Sequence, residues 1–132
     1  MRILADTNIL ISALLWPNSR PAKALLHAVR YHTLVLCDRN LFEFWDVLKR
    51  KAPQALQDAE VFLAELSFEL IPGVENGQKL IRDVKDKPIL NAAIVAEVDI
   101  IVTGDKDFLS LNMEHPRTMT VAQYLEQETA EG

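Results

Sequence analysis

The sequence predicts an α/β protein, a three-layer α/β/α sandwich around a small, mostly parallel central sheet. Three observations carry that expectation. Short apolar runs of strand length alternate with longer amphipathic or apolar stretches of helix length. Acidic residues close two of the apolar runs, where the carboxyl ends of parallel strands would lie. Proline, glycine and capping residues mark the boundaries between segments. With 132 residues, 49% of them apolar, the chain suits one domain over 1–132, and no repeat, low-complexity tract or linker divides it.

Each element has its own local reason. Residues 3–5 (Ile3, Leu4, Ala5) form a short apolar run with strand character. Thr7 or Asn8 can then cap a helix through Trp16, which Pro17 ends because its ring disfavours helical geometry in the preceding residue. Ser19-Arg20-Pro21 restarts a helix with Ala22, Leu25, Leu26 and Val29 on one side. Residues 33–37 read as a second strand, and Asp38 as the N-cap of a helix reaching Lys51. On that helix Leu41, Phe44, Trp45 and Leu48 share a face with Val47 at its border, and Glu43 flanks the stripe. Residues 55–70 read as one amphipathic helix, with Leu56, Ala59, Leu63, Leu66 and Leu70 opposing Asp58, Glu65 and Glu69. Pro72-Gly73 and Asn76-Gly77 mark turns, and Leu80-Ile81 is a weak element. Residues 88–98 are apolar nearly all round, as in a buried helix. Residues 100–103 resemble a strand covered on both faces. Residues 118–121 suggest a last short strand, after which Thr120 with Gln123 fits a capping box for a terminal helix.

The bulk composition excludes several classes. No apolar stretch approaches the roughly 18 residues of a membrane-spanning helix, and the first residues meet Asp6 too early for a signal peptide. The single Cys37, inside Leu34-Val35-Leu36-Cys37, reads as a small buried hydrophobe, consistent with a reducing, cytoplasmic setting. The net charge of −5 is uneven. Residues 1–53 hold eight Lys/Arg against four Asp/Glu, or +4; residues 54–132 hold six against fifteen, or −9. A basic face able to attract phosphates is therefore compatible with an acidic whole.

Four acids stand out by position. Asp6 and Asp105 close the apolar runs at 3–5 and 100–104, Glu43 lies in the first turns of a helix, and Asp86 stands just before Pro88 at the start of another. Taken singly, each also fits a cap, a turn or a surface acid. Converging carboxylates repel unless a cation or proton separates them, so the set reads as a hard-metal site. Oxygen-only ligands point to Mg²⁺ or Mn²⁺. His27, His32 and His115 are scattered with no ligand spacing, so zinc is not expected. Such a site suits phosphate chemistry: the cation offsets developing negative charge, and a neighbouring carboxylate can take a proton from attacking water. No Ser-His-Asp set, Gly-rich phosphate loop or cysteine nucleophile competes.

These residues resemble a PIN domain over nearly the whole chain. The resemblance rests on Asp6-Thr7-Asn8 after the first strand, Glu43 followed by Val47-Leu48, the stretch from Asp86-Lys87-Pro88 through Asn91-Ala92-Ala93, and Thr103-Gly104-Asp105-Lys106-Asp107-Phe108. It implies a Mg²⁺/Mn²⁺-dependent endoribonuclease of the kind that serves as toxin in toxin–antitoxin pairs (VapC-like). By position, Asp6, Glu43, Asp86 and Asp105 match the family's acidic quartet, Asp107 a fifth acid, and Asn8 and Thr103 its supporting polar residues. Asp86 fits better than Asp83 because it lies five residues before Asn91. RNA as substrate, an antitoxin partner and a homodimer come from the resemblance alone. Arg20, Lys23, Lys49, Arg50 and Lys51 are candidate contacts to an RNA backbone, although a cationic run at 49–51 also suits a solvated helix end.

Two other readings compete. A haloacid-dehalogenase-type phosphatase also uses an acid after its first strand, but needs a second acid where this chain has Asn8. A non-catalytic PIN-like scaffold for protein binding has no need to keep mutually repelling acids. The 55–70 segment, Trp16 and Trp45 are candidate surfaces for a partner or second copy.

Overall fold

β-Branched and leucine side chains crowd three short runs, which pair at the centre of one sheet. In the computed structural model, which describes residues 1–74, 87–111 and 113–129, the elements follow in chain order. They are β1 (Arg2–Ala5), α1 (Thr7–Leu15), α2 (Arg20–Tyr31), β2 (Thr33–Cys37), α3 (Asp38–Lys51), a 3₁₀ turn (Pro53–Ala55), α4 (Leu56–Glu65) and β3 (Glu69–Ile71). After them come α5 (Lys87–Val95), β4 (Ile100–Val102), α6 (Lys106–Leu109), β5 (Arg117–Met119) and α7 (Val121–Glu128). The five strands are all parallel, in the order β3-β2-β1-β4-β5.

Strand alternation builds the three layers. Ile3, Ala5, Leu34, Leu36, Ile100 and Val102 face one core, covered by α1, α2, α3, α4 and α7. Leu4, Val35, Cys37 and Ile101 face a second, thinner core with Ile89, Leu90, Ala92 and Ala93 of α5 and Phe108 of α6. The α/β/α expectation thus holds, with helices spread unequally between the faces.

Local chemistry sets the boundaries and corrects several expectations. Asp6, not Thr7 or Asn8, caps α1: its Oδ1 accepts from the Asn8 N–H at 3.0 Å. Asp38 is the first residue of α3 and not its cap, because Asn40 Oδ1 accepts from the Cys37 N–H (3.1 Å) while Asp38 Oδ1 accepts from Gly73 N (2.9 Å). The helix expected over 55–70 stops at Glu65, and residues 69–71 form the edge strand β3. Three residues with two exposed side chains carry too little alternation to be told from the end of a helical stripe. The last strand lies at 117–119, and Thr120 and Gln123 cap α7 reciprocally, at 3.0 and 2.9 Å. The Asn76-Gly77 turn and the weak element at Leu80-Ile81 lie outside the described residues.

Candidate metal centre

The order β3-β2-β1-β4-β5 reverses direction between β1 and β4, since β1 leads outward to β2 while β4 leads the other way to β5. In parallel sheets a crevice opens at such a switch point, beyond the carboxyl ends of the strands. Ala5 pairs with Val102, so the residues leaving the sheet side by side are Asp6 and Thr103. The Asp6 N–H still donates to Val102 O at 3.0 Å, which fixes the position of the carboxylate.

A chain of short bonds links this point to the next acid. The buried Thr103 hydroxyl donates to Asp6 Oδ2 (2.5 Å) and accepts from the Asp105 N–H (3.0 Å). Asp105 in turn caps α6, its Oδ1 accepting from the Asp107 N–H at 2.8 Å. Glu43 comes from α3, which starts at the carboxyl end of β2. Its helix is braced against α1 by two buried residues, Asn40 and Thr7, with Asn40 Nδ2 donating to Thr7 Oγ1 at 3.1 Å. Asp6, Asn8, Glu43 and Asp105 thereby line one small cleft of about 50 Å³, over an apolar floor of Leu4, Ile89, Ile101 and Phe108. That volume admits an ion with a few waters.

Burial lifts the Asp6 carboxyl above its ordinary value; the bonds from the Thr103 hydroxyl and Asn8 N–H pull it down, and the Asp105 charge pushes it up. The carboxylate is thus held in place by donors yet short of neutralising charge, a condition a divalent cation relieves. The all-oxygen donor set fits Mg²⁺ or Mn²⁺.

The remaining expectations divide. Asp107 is exposed on α6 and does not line the cleft, although its backbone N–H is held by Asp105. Asp86 and Asp83 lie outside the described residues. Asn91 is buried on α5, and its Nδ2 donates to Val74 O at 3.0 Å. None of the basic candidates lines the cleft. Arg20 is exposed at the start of α2, and Lys23 borders a separate hollow with Leu26 and His27. Lys49 and Arg50 are exposed in the last turn of α3, about 9 Å along the axis beyond Glu43, and Arg50 pairs with Asp46 at 3.2 Å. Trp16 is 60% exposed, while Trp45 is half-buried with its ring 5.4 Å from that of Phe44.

Sequence reasoning missed the brace of Thr7 and Asn40. Its signal was a polar residue one turn before Glu43 on an otherwise apolar face. It also misjudged the histidines: His27 and His32 meet, together with Glu128. Among the described residues these three, and not Asp6, Glu43 and Asp105, form the set whose ligand atoms all lie within 4.8 Å of one another.

Residues 2–107 match the family model described as PIN domain. The fold is similar to a chain in the crystal structure of VapBC2 from Rickettsia felis bound to a DNA fragment from their promoter. The TM-score is 0.67 at 20% identity, covering 91% of this chain and 98% of that one. No curated protein matches.

Proposed function

The chain belongs to the PIN domain family, and on that premise we propose that it is a divalent-metal-dependent endoribonuclease, the toxin of a toxin–antitoxin pair. The observation that carries this reading is the meeting of Asp6, Glu43 and Asp105 in one cleft at the switch point of the sheet. Asp6, Glu43 and Asp105 are the residues to hold Mg²⁺ or Mn²⁺, joined by Asp86 on the sequence pattern and with Asp107 as an outer acid. Once bound, the ion polarises a phosphoryl oxygen, offsets charge developing on the phosphate and makes water a better nucleophile.

The chain's own residues do the rest. Thr103 orients the Asp6 carboxylate and the turn bearing Asp105, so two acids from separate strands keep one spacing. Glu43 or Asp86 takes the proton from the attacking water. Asn8, exposed at the rim, faces the substrate. RNA would lie across the mouth of the cleft with one phosphate over the acids. Arg20, Lys23, Lys49 and Arg50 then serve more distant phosphates, and binding through them weakens with salt.

The likeness to VapBC2 supports an antitoxin partner, and the exposed Trp16, Leu26, Tyr31 and Phe42 offer apolar surface for it or for a second copy in a homodimer. We infer that 1–132 acts as one PIN-like domain in the cytoplasm; among the described residues no helix is long and apolar enough to cross a membrane. The test is cleavage of structured RNAs by purified protein with and without Mn²⁺, with the ends mapped. Cleavage that requires Mn²⁺ and disappears in Asp6→Asn and in Asp105→Asn, both still folded, is the expected outcome. Full activity in either variant, or cleavage indifferent to chelator, overturns the reading.

A further inference from the structure

At the amino edge of the sheet, opposite the acidic cleft, a second set of metal-type ligands converges. His27 comes from the last turns of α2, His32 from the residue that ends α2 before β2, and Glu128 from the last turn of α7. They lie far apart in sequence, yet one ring nitrogen of each histidine and one Glu128 oxygen all lie within 4.8 Å of one another. All three side chains are half-buried, open enough to admit an ion and sheltered enough for charge to matter.

We propose that His27, His32 and Glu128 form a binding site for a borderline divalent transition metal, Zn²⁺ first. Two imidazoles and one carboxylate are a recognised protein ligand set for zinc, with water completing a tetrahedron. Hard Mg²⁺ prefers all-oxygen sites, so the two ends of the sheet differ in the ion they select. Zinc bonds near 2.05 Å require ligand atoms roughly 3.3 Å apart, which side-chain rotation of about an ångström supplies.

The contact between His32 and Glu128 alone explains only part of the arrangement. His32 Nε2 lies 2.6 Å from Glu128 Oε1, an ordinary clasp between α2 and α7. His27 stands outside the hydrogen bond of that clasp. Its Nδ1 is instead held at 2.8 Å by the hydroxyl of the fully buried Tyr124, which fixes the ring beside the other two ligands. Second-sphere bonds of this kind orient metal-binding histidines. The other ring nitrogen of His32 lies 3.2 Å from the Met1 amino group, and Gln127 Nε2 donates to Glu128 Oε2 at 3.0 Å. Neutral imidazoles are the ligating form, so metal binding competes with protons. Bound metal would staple the end of α7 to the end of α2.

This inference stands apart from the nuclease reading, and the experiment separates them. Metal-free protein is titrated with ZnCl₂ by calorimetry at about pH 7.5, and with Co²⁺ by visible absorption. Parent, His27→Gln, His32→Gln, Glu128→Gln and Asp6→Asn proteins are compared, each checked for fold by circular dichroism. The site predicts one Zn²⁺ per chain, a rise in melting temperature with zinc, and Co²⁺ bands of a tetrahedral nitrogen–oxygen site. It also predicts at least a tenfold loss of affinity in each of the three ligand variants, on the scale of a lost metal contact. Asp6→Asn should retain this zinc binding. Zinc affinity weaker than millimolar, affinity unchanged in both folded histidine variants, or binding that disappears in Asp6→Asn each overturns the proposal.

Discussion

Asp6 performs three jobs whose energies separate when it is replaced by asparagine or by alanine. It caps α1, it accepts the Thr103 hydroxyl, and it carries a half-buried charge beside Asp105. Asparagine caps a helix about as well as aspartate and keeps an acceptor oxygen, but removes the charge. The raised pKa means that burial and repulsion outweigh the two hydrogen bonds, so the ionised carboxylate is a net cost in the metal-free fold. The sign follows: the folded state holds the Asp6 proton more tightly than the unfolded chain. Stability therefore falls as pH rises from about 4 through the folded pKa. Asp6→Asn should flatten that limb and leave metal-free stability at neutral pH equal to the parent or up to about 1 kcal/mol higher. Asp6→Ala loses the cap, about 1 kcal/mol, and strips partners from the Thr103 hydroxyl and Asn8 N–H, so it should fall about 1–3 kcal/mol below Asp6→Asn. Urea unfolding in chelator measures both, and repeating it in Mn²⁺ should stabilise only the parent. An Asp6→Asn protein less stable than Asp6→Ala, or one still stabilised by Mn²⁺ as the parent is, would refute the reasoning.

Four further outcomes follow from other parts of the fold. Asn40→Ala removes the acceptor of the Cys37 N–H and the donor to Thr7, both buried, and should cost about 2–3 kcal/mol in urea unfolding; a loss under 0.5 kcal/mol, roughly a surface effect, would remove the brace from the account. Glu97, two residues past the end of α5, has φ at 56°, a left-handed conformation costly for any residue with a Cβ, so Glu97→Gly should raise stability by about 0.5–1 kcal/mol, and a lower melting temperature would contradict this. Burial, the largest cause, pushes the Cys37 thiol from 9.0 up to about 11, so native protein should react with iodoacetamide near neutral pH only as fast as it unfolds. Because that pKa is raised, stability should decline as pH climbs from about 9 towards 11, and more steeply in the parent than in Cys37→Ala.

The sequence made the fold legible where periodicity or punctuation was strong. Residues 33–37 and 38–51 occupy the expected elements because an apolar run, an acid and an apolar helical stripe leave little choice. Ser19 before Arg20-Pro21, and Thr120 with Gln123, specified helix starts through capping bonds that the structure contains. What was lost is short. β3 has three residues and α6 four, and neither length completes a pattern that period 2 or 3.6 can reveal. Their existence is imposed by tertiary context: β3 by pairing with β2, and α6 by the Asp105 cap and the buried Phe108.

The acidic cleft was legible for a different reason, and the histidine cluster illegible for the same one. Asp6 follows β1 directly, and Asp105 lies three residues past β4 on a turn tied back to Asp6 through Thr103, so a parallel sheet narrows their neighbourhood once strand order is known. His27, His32 and Glu128 sit at helix ends, where position depends on how many turns each helix completes before it stops. Twelve residues in α2 and eight in α7 bring those ends together at one edge. One residue more or fewer would turn each side chain by about 100° and shift it 1.5 Å along its axis, enough to break the convergence. A metal set built on helix ends is therefore sensitive to helix length in a way that one built on strand ends is not. Inserting a single alanine into the exposed face of α7 should abolish zinc binding while leaving Mn²⁺ binding at the cleft intact. Loss of both would mean that the two ends of the sheet are not independent, as their separation in the fold requires them to be.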